Sequence, residues 1–236
     1  MMLGARTASW AKSGYTAKDY AQDGLIWQLD SVENGGYGIS NQVIRERWKD
    51  LVGSNDAILN VESLDASNGY VVIPQTVKPC VFNKFLPRHI ECVFKYVSKA
   101  SIPIIQFTDN NGVDSSDINE KRCRWVGIRS NGTVNFGQGG NYFYLNQNEV
   151  ASISAYYLSD NINEVGDVFA YMNGVEVHTV SSGMNNKNLQ GACFNPFSTY
   201  GITSSDWWSI RCYNRVLTQA EIAANYAIDK ARFNLP

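Results

Sequence analysis

The part of the sequence that most constrains the fold is the stretch from residue 207 to residue 231. Its first half alternates apolar and polar residues, with Trp208 and Ile210 on the same side, as expected for a strand. In its second half, Thr218 and Glu221 have the spacing of a capping box, which satisfies free backbone donors at a helix start. The stretch therefore predicts one strand, a tight bend and one capped helix.

The predicted helix has a basic end and one face of small and apolar residues. Lys230 and Arg232 lie near its end, where positive charge interacts favourably with the helix dipole. Residues three and four apart share a side of a helix, so we expect the apolar face to pack against the protein. That face consists of Ile222, Ala223, Tyr226 and Ala227.

The chain upstream has the composition and spacing of β-strands. Short runs are enriched in Val, Ile, Phe and Tyr, and they end at Pro, Gly or Asn. Between Ile90 and Tyr96 the even-numbered positions are apolar or aromatic, which indicates a strand with one face toward a core. The predicted strands cover residues 23–30, 70–73, 89–97, 102–107 and 151–157.

Two Asn-Gly pairs predict β-hairpins, because this dipeptide suits the two-residue type I′ turn. The first pair, at positions 131–132, lies within a hairpin over residues 124–136. A two-residue turn at this place pairs Ile128 with Asn135. Neither face of that hairpin is cleanly apolar, so its core side is left open.

The second pair, Asn173-Gly174, divides residues 168–180 into two strands with distinct faces. A two-residue turn pairs Met172 with Val175 and Tyr171 with Glu176. We expect one face to belong to the core and the other to point outward. The core face comprises Ala170, Met172, Val175 and Val177, and the outward face comprises Phe169, Tyr171, Glu176 and His178.

Three of these segments carry a resemblance to a known family. The closing stretch, the hairpin at residues 168–174 and the opening strand at residues 23–30 resemble the signatures of concanavalin A-like and laminin-G-like jelly-roll domains. The closing signature is carried by Ser209-Ile210-Arg211, Tyr213-Asn214-Arg215, Leu217-Thr218, Glu221-Ile222 and Asn225-Tyr226. The resemblance implies an all-β, antiparallel jelly-roll β-sandwich with a short C-terminal helix.

The resemblance also suggests how the chain is divided. It covers the region from residue 23 onward, so we predict a jelly-roll domain over residues 23–236 and an N-terminal arm over residues 1–22. The arm is polar and mildly basic and shows no hydrophobic period, which is typical of a tail or of a segment that docks on a neighbouring subunit. The fold itself hosts lectins, glycosidases, adhesion modules and structural domains, so it does not define a function.

Composition excludes several kinds of partner. The 236 residues carry a formal net charge of -2, which argues against a nucleic-acid partner held through phosphate contacts. We expect no membrane insertion, because no apolar run is long enough for a spanning helix. The N-terminal residues lack the apolar middle of a signal peptide, so we expect synthesis in a cytoplasm.

The five cysteines fit the same expectation. Their odd number and the absence of a C-x-x-C pair favour reduced thiols over a disulfide framework. Cys92 and Cys212 fall inside strand patterns, where cysteine behaves as a small apolar residue. We predict that they are core thiols.

Aromatic residues in two places predict a glycan-binding surface. One group follows the glycine-rich stretch at positions 137–140, and the other is the outward face of the second hairpin. Aromatic rings stack on sugar faces, while carboxylate and imidazole groups hydrogen-bond to hydroxyls. Strand alternation, ordinary cross-strand pairing or a covering loop explains the same residues equally simply. The candidate ligand-binding residues are Tyr142, Tyr144, Tyr171, Glu176 and His178.

The polar loop at positions 109–121 is a candidate calcium site. Its carboxylate and amide oxygens are the ligands that calcium prefers, although the spacing differs from an EF-hand and Val113 occupies a ligand position. The alternative is a solvated turn. The candidate ligands are Asp109, Asn111, Asp114 and Asp117, and no cofactor other than calcium is predicted.

The sequence lacks the common catalytic motifs. The paired carboxylates of glycosidases with this fold stand in an E-x-D-x-x-E strand, which is absent, and no G-x-S-x-G elbow occurs. The two histidines, His89 and His178, are too few for a histidine metal site. We therefore predict that the chain is not an enzyme.

The leading hypothesis is a non-catalytic binding or structural module on the surface of a bacteriophage virion, as a head decoration, fibre or tail protein. The opening residues, with Met1 and Arg6, resemble the start of small gut-phage structural proteins. Residues 1–22 would contact other virion proteins within a homo-oligomer or larger assembly, and the module would bind host-surface glycans. The alternatives are an adhesion module of a bacterial surface protein and a glycoside hydrolase of the concanavalin A-like fold.

Overall fold

Antiparallel strands make up most of the described chain, and a helix closes it. The computed structural model describes residues 14–33, 43–74, 80–81, 87–96, 102–108, 122–128, 133–136, 143–157, 166–182, 191–194 and 205–235. The strands are β1 (Leu25–Asp30), β2 (Val43–Trp48), β3 (Ala57–Asp65), β4 (Val71–Ile73), β5 (Cys80–Val81), β6 (His89–Tyr96), β7 (Ile102–Thr108), β8 (Arg122–Ile128), β9 (Thr133–Phe136), β10 (Phe143–Tyr144), β11 (Val150–Tyr157), β12 (Gly166–Met172), β13 (Val175–Ser182), β14 (Gly191–Phe194) and β15 (Ser205–Tyr213). The helix is α1 (Gln219–Phe233).

The strands form two antiparallel sheets. One has the order β1-β15-β6-β11-β12-β13, with β4 also paired to β15. The other has the order β10-β9-β8-β7-β14-β5-β3-β2. The predicted antiparallel jelly-roll β-sandwich with a C-terminal helix is confirmed.

A single apolar cluster fills the space between the sheets. Its largest members are Trp27, Trp48 and Trp207, whose side chains are completely buried. Burying one large apolar side chain stabilises a fold by roughly 1.5–3 kcal/mol, so such residues dominate the stability. Cys92 and Cys212 lie in this cluster as free thiols, which confirms that they are core residues.

The closing strand reaches this core through an irregularity that the alternation pattern did not show. The pairing of β15 with β6 shifts between Trp207 and Ser209, so Trp207 enters the core and Trp208 is only half-buried. After the shift, Ile210 and Cys212 face the core. The prediction that Trp208 shares their face was wrong, because a bulge adds one residue and reverses the side to which the chain points.

The first predicted hairpin has a different register. Ile128 pairs with Val134, and Gly127 pairs with Asn135, one residue away from the predicted pairing. This register places two apolar residues opposite each other, and Val134 is fully buried in the core. A register that places Val134 in the core outweighs the preference for the shortest turn. The Asn-Gly pair at 131–132 lies outside the described residues.

The second predicted hairpin is correct at its turn and wrong farther along. Met172 pairs with Val175 and Tyr171 with Glu176, and Asn173 has the positive φ of 53° that a type I′ turn requires. A bulge between Ala170 and Tyr171 then shifts the pairing, so Ala170 lies opposite His178.

The same hairpin exposes one of its predicted core residues. Ala170 is fully buried, and Met172 and Val177 pack partly against the core. Val175 is 66% exposed, because the tip of the hairpin extends past the core. The assignment of Val175 to the core was therefore wrong.

Helix α1 begins at the predicted capping box. The Thr218 hydroxyl accepts a hydrogen bond from the Glu221 backbone N–H, and the Glu221 carboxylate accepts one from the Thr218 backbone N–H. The helix ends at Asn234, which adopts the left-handed conformation with φ of 55°. The capping box therefore defines the start of the helix, and the left-handed residue defines its end.

The buried face of α1 differs from the predicted one. Ala223 and Ala227 are exposed, while the face toward the sheet is largely polar. This happens because the outer face of the seven-stranded sheet carries charged side chains, which the helix matches with its own. The buried residues of the helix are Ile222, Asn225, Ile228, Asp229 and Arg232.

Part of the predicted N-terminal arm belongs to the folded body. Ala17 and Tyr20 are buried, and Ala21 packs on the apolar cluster beneath the helix. The Tyr20 hydroxyl donates to Asp229 Oδ1 at 2.8 Å. Residues 1–13 lie outside the described residues, and the division of the chain at residue 22 stays a prediction.

Candidate functional site

The outer face of the seven-stranded sheet carries a row of rings in contact with one another. Register places Tyr213, His89, Tyr156 and Phe169 side by side on neighbouring strands. The centroids of Tyr156 and Phe169 are 5.0 Å apart with an interplanar angle of 10°, and those of His89 and Tyr156 are 5.5 Å apart. Helix α1 covers the Tyr213 end of the row, while Tyr156 and Phe169 are only half-buried.

Tyr171 lies beside this row and brings polar groups to it. Its ring is 4% exposed, and its hydroxyl donates to Glu176 Oε2 at 3.3 Å. The Gln219 amide, on the first turn of α1, donates to the same hydroxyl at 3.5 Å. Glu176 and Gln219 are themselves exposed. We call these five residues, Tyr156, Phe169, Tyr171, Glu176 and Gln219, the aromatic patch.

The Tyr156 hydroxyl stays protonated over the physiological range. Partial burial, followed by the neighbouring Tyr171 and Glu176, raises the pKa of Tyr156 to about 12. A neutral phenol both donates and accepts a hydrogen bond. The patch thus combines two half-exposed rings with hydroxyl, carboxylate and amide groups, which is the chemistry that binds a polyhydroxylated ligand with apolar faces.

A second group of polar side chains lies under α1, where water has no access. Arg211 is completely buried, and its two terminal nitrogens donate to the two carboxylate oxygens of Asp229, each at 2.8 Å. Its Nε donates to Glu91 at 3.0 Å. Asp229 also accepts hydrogen bonds from Tyr20 and Ser152. We call this group, with the residues of the next paragraph, the buried charge network.

The network extends along the helix in both directions. Toward the helix start, Asn225 donates to Glu91 at 2.8 Å. Toward the helix end, Arg232 donates to both carboxylate oxygens of Asp30, at 2.7 and 3.2 Å. Burial raises the pKa of Glu91, although the positive charge of Arg211 opposes that shift.

His89 joins the two regions in a neutral form. Its Nδ1 accepts a hydrogen bond from the Leu217 backbone N–H at 3.2 Å, so the proton resides on Nε2, which donates to the Ser154 hydroxyl at 2.7 Å. Burial, followed by the charge of Arg211, lowers the pKa of His89 to about 3. His89 is thus a neutral, buried residue with both ring nitrogens hydrogen-bonded.

Of the predicted ligand-binding residues whose side chains the structure describes, Tyr171 and Glu176 lie together and Tyr144 lies apart. Tyr171 and Glu176 are in contact within the aromatic patch. Tyr144 is 67% exposed but lies on β10 of the other sheet. Residue His178 is placed in β13 opposite Ala170, and Tyr142 lies outside the described residues.

The four predicted calcium ligands, Asp109, Asn111, Asp114 and Asp117, also lie outside the described residues. Among the residues that are described, no three or more His, Cys, Asp or Glu side chains form a group suited to a metal ion. Within the same part of the chain, no helix has both the length and the apolar character that a membrane crossing requires.

Three members of the patch were not among the predicted ligand-binding residues: Tyr156, Phe169 and Gln219. Of these, Phe169 was predicted to lie on the outward face. Tyr156 is in the opposite phase to the apolar alternation of β11, which is a signal that it lies on the outer face. Gln219 gave no signal of its own, because only the packing of α1 on the sheet places it beside Tyr171.

The fold resembles that of two kinds of solved structure. Trypanosoma rangeli sialidase in complex with the inhibitor DANA superposes with a TM-score of 0.60 at 11% identity, covering 87% of this chain and 33% of the sialidase. The receptor-binding domain of botulinum neurotoxin type G superposes with a TM-score of 0.54 at 15% identity, covering 88% of this chain and 52% of the toxin domain.

A third similar structure is that of botulinum neurotoxin type C, a toxin that depends on two ganglioside molecules to enter cells. It superposes with a TM-score of 0.55 at 15% identity. The superposition covers 88% of this chain and 51% of the toxin structure. No protein-family model and no curated protein sequence matches the chain. The chain thus spans about a third of the sialidase and half of the toxin domains, and the likeness shows a shared β-sandwich fold.

Proposed function

We propose that this chain is a non-catalytic glycan-binding module and that the aromatic patch is its binding surface. The observation that carries the proposal is the arrangement of Tyr156 and Phe169 as half-exposed stacked rings beside the Tyr171–Glu176 hydrogen bond. The rings contact the apolar face of a sugar, and the carboxylate of Glu176 accepts hydrogen bonds from its hydroxyls.

The similar structures support this choice among the functions that the fold hosts. One was solved as a sialidase bound to sialic acid, and another belongs to a toxin that interacts with gangliosides. Both kinds of protein handle carbohydrate. At 11–15% identity this supports the class of ligand only together with the patch, since a fold alone does not define a function.

The proposal excludes catalysis because of how the carboxylates are used. Glu91 and Asp229 are close to the sheet centre but buried, and both are engaged by Arg211. Most glycosidases need two carboxyl groups that flank the sugar bond, and sialidases, which use a tyrosine nucleophile, are an exception. Within the aromatic patch, Glu176 is the carboxylate, and its patch neighbours are phenols, a phenyl ring and an amide.

We further propose the surface of a bacteriophage virion as the setting, with a bacterial surface adhesin as the alternative. The free, buried thiols of Cys92 and Cys212 fit synthesis in a reducing cytoplasm, where virion components are made. In this setting the predicted arm, residues 1–22, would contact other virion proteins. Calcium bound at Asp109, Asn111, Asp114 and Asp117 is a separate proposal, supported only by the oxygen-rich composition of that loop.

A glycan-array screen of the purified protein tests the proposal, with calcium and then with EDTA. We expect specific binding that falls at least about tenfold in Phe169→Ala, which removes a ring worth about 1.4 kcal/mol of contact. Lys230→Ala, an exposed change on α1, is the matched control and should bind normally. If the protein binds no glycan on the array, or if Phe169→Ala binds as well as wild type, the glycan-binding role of the patch is overturned. Loss of binding in EDTA would show that calcium takes part.

A further inference from the structure

The charge of the aromatic patch limits the glycans that it can bind. Glu176 is exposed near the start of β13 and contributes a carboxylate to the patch. One of its oxygens accepts the Tyr171 hydroxyl, which leaves the other for a ligand. A carboxylate accepts hydrogen bonds from sugar hydroxyls but repels a second carboxylate.

The arginines near the patch are already paired. Arg215, close to the start of α1, has ion pairs with Glu221 at 2.5 Å and with Asp23 at 2.8 Å. Arg211 is completely buried, and both Asp229 and Glu91 engage it. Recognition of a ligand carboxylate in a protein normally uses an arginine or a comparable donor. Neither of these two arginines is available to provide it.

Arg232, the arginine of helix α1, is paired in the same way. Its guanidinium is held by Asp30 at 2.7 Å and by Glu33 at 3.2 Å, and its side chain is 3% exposed. Glu176 is therefore the exposed charged group of the patch, and Arg88, half-buried just before β6, also has partners of its own. Such a surface favours a ligand that offers hydroxyl donors and no anionic group.

Resting on the proposed function, we infer that the patch selects neutral glycans and discriminates against sialylated or otherwise acidic ones. The glycan's ring faces contact Tyr156 and Phe169, and its hydroxyls donate to Glu176 and exchange hydrogen bonds with Gln219. This preference differs from that of the structurally similar proteins, which were solved with sialic acid or depend on gangliosides.

Matched glycan pairs test this inference, each pair being one oligosaccharide with and without a terminal sialic acid. Titration of the purified full chain should give at least about tenfold tighter binding of the neutral member, equivalent to about 1.4 kcal/mol. Glu176→Gln keeps the shape of the side chain and removes its charge. It should lower the ratio of the two affinities, neutral over sialylated, severalfold. Gln219→Glu adds a second negative charge at the patch and should raise the same affinity ratio.

The possible failures are distinguishable. Equal or tighter binding of the sialylated member, still lost in Phe169→Ala, would overturn the charge inference and leave the glycan-binding function standing. No binding of either member across the set would overturn both. A ratio that is unchanged in both Glu176→Gln and Gln219→Glu would show that the charge of the patch does not select the ligand, whichever member binds. Far-UV circular dichroism confirms that each variant is folded.

Discussion

The aromatic patch and the buried charge network lie on the same face of the same sheet, yet they differ in access to water. Glu91 and Glu176 are both glutamates on that sheet, one on β6 and one on β13. Glu91 is 2% exposed and engaged by Arg211 and Asn225, whereas Glu176 is exposed and shares one oxygen with Tyr171. The position of α1 decides this difference. The helix covers the buried charge network, which contributes to stability, and leaves the aromatic patch open to a ligand.

The largest expected effect follows from breaking the buried charge network. Asp229→Ala leaves the Arg211 guanidinium buried without its bidentate partner. Removing one member of a buried ion pair typically costs roughly 3–5 kcal/mol, and we expect a loss of unfolding free energy of that order in urea. A matched control is Asp23→Ala, because Asp23 pairs with an arginine at the surface and surface pairs contribute about 0–1 kcal/mol. Equal losses in the two variants would contradict the distinction between the regions.

The second expected effect is a loss of stability in acid that depends on His89. Its pKa is lowered to about 3 in the folded protein, so the unfolded chain binds a proton that the folded chain does not. Stability from this group is complete above its unfolded value of 6.5 and is lost as the pH falls toward 3. The loss should be roughly 2–3 kcal/mol between about pH 7.5 and about pH 4.5.

Urea unfolding of wild type and His89→Gln across that range measures the effect. Glutamine keeps one donor and one acceptor but does not titrate, so the stability of the variant should depend less on pH. Glu91 acts in the opposite direction: its raised pKa contributes stability below its unfolded value of 4.5, and this is lost as the pH rises. The same slope in both proteins would show that His89 is not the buried group responsible.

The third and smaller effect concerns the contact between the hairpin tip and the helix. Gly174 has a φ of 76°, and a Cβ there would lie 2.6 Å from the Tyr226 ring. Gly14 has a similar φ of 72° with no atom within 4 Å, so Gly14→Ala measures the backbone strain alone. We expect Gly14→Ala to cost about 1 kcal/mol and Gly174→Ala about 1 kcal/mol more. Identical melting temperatures for the two variants would mean that the hairpin tip does not pack closely against α1.

Local patterns predicted those parts of the fold in which neighbours in sequence decide the structure. The capping box at Thr218 and Glu221 and the turn at Asn173-Gly174 are correct, because each depends on residues two or three positions apart. Two bulges, at Trp208 and between Ala170 and Tyr171, could not be seen in this way. A bulge is selected by the packing of a whole strand, and it reverses the face assignments beyond it on the strand that carries the extra residue.

The candidate site was harder to predict, because it depends on what α1 covers. The outward face of Phe169 and Tyr171 was expected from hairpin pairing, and a cover over that face was one of the alternatives. The helix provides that cover for Tyr171 and leaves Phe169 half-buried. The polar face of α1 was missed because Asn225 and Asp229 find their partners, Glu91 and Arg211, in strands far away in the sequence.

The most direct test of the division between the two regions is a paired measurement on Phe169→Ala and Asp229→Ala. Both the affinity for a neutral oligosaccharide that the array identifies and the free energy of unfolding are measured for each variant. The account predicts that Phe169→Ala weakens binding at least about tenfold and is the less destabilised of the two, while Asp229→Ala loses roughly 3–5 kcal/mol of stability and retains affinity while folded. Unchanged affinity in Phe169→Ala, or an affinity loss in folded Asp229→Ala as large as that in Phe169→Ala, would contradict it.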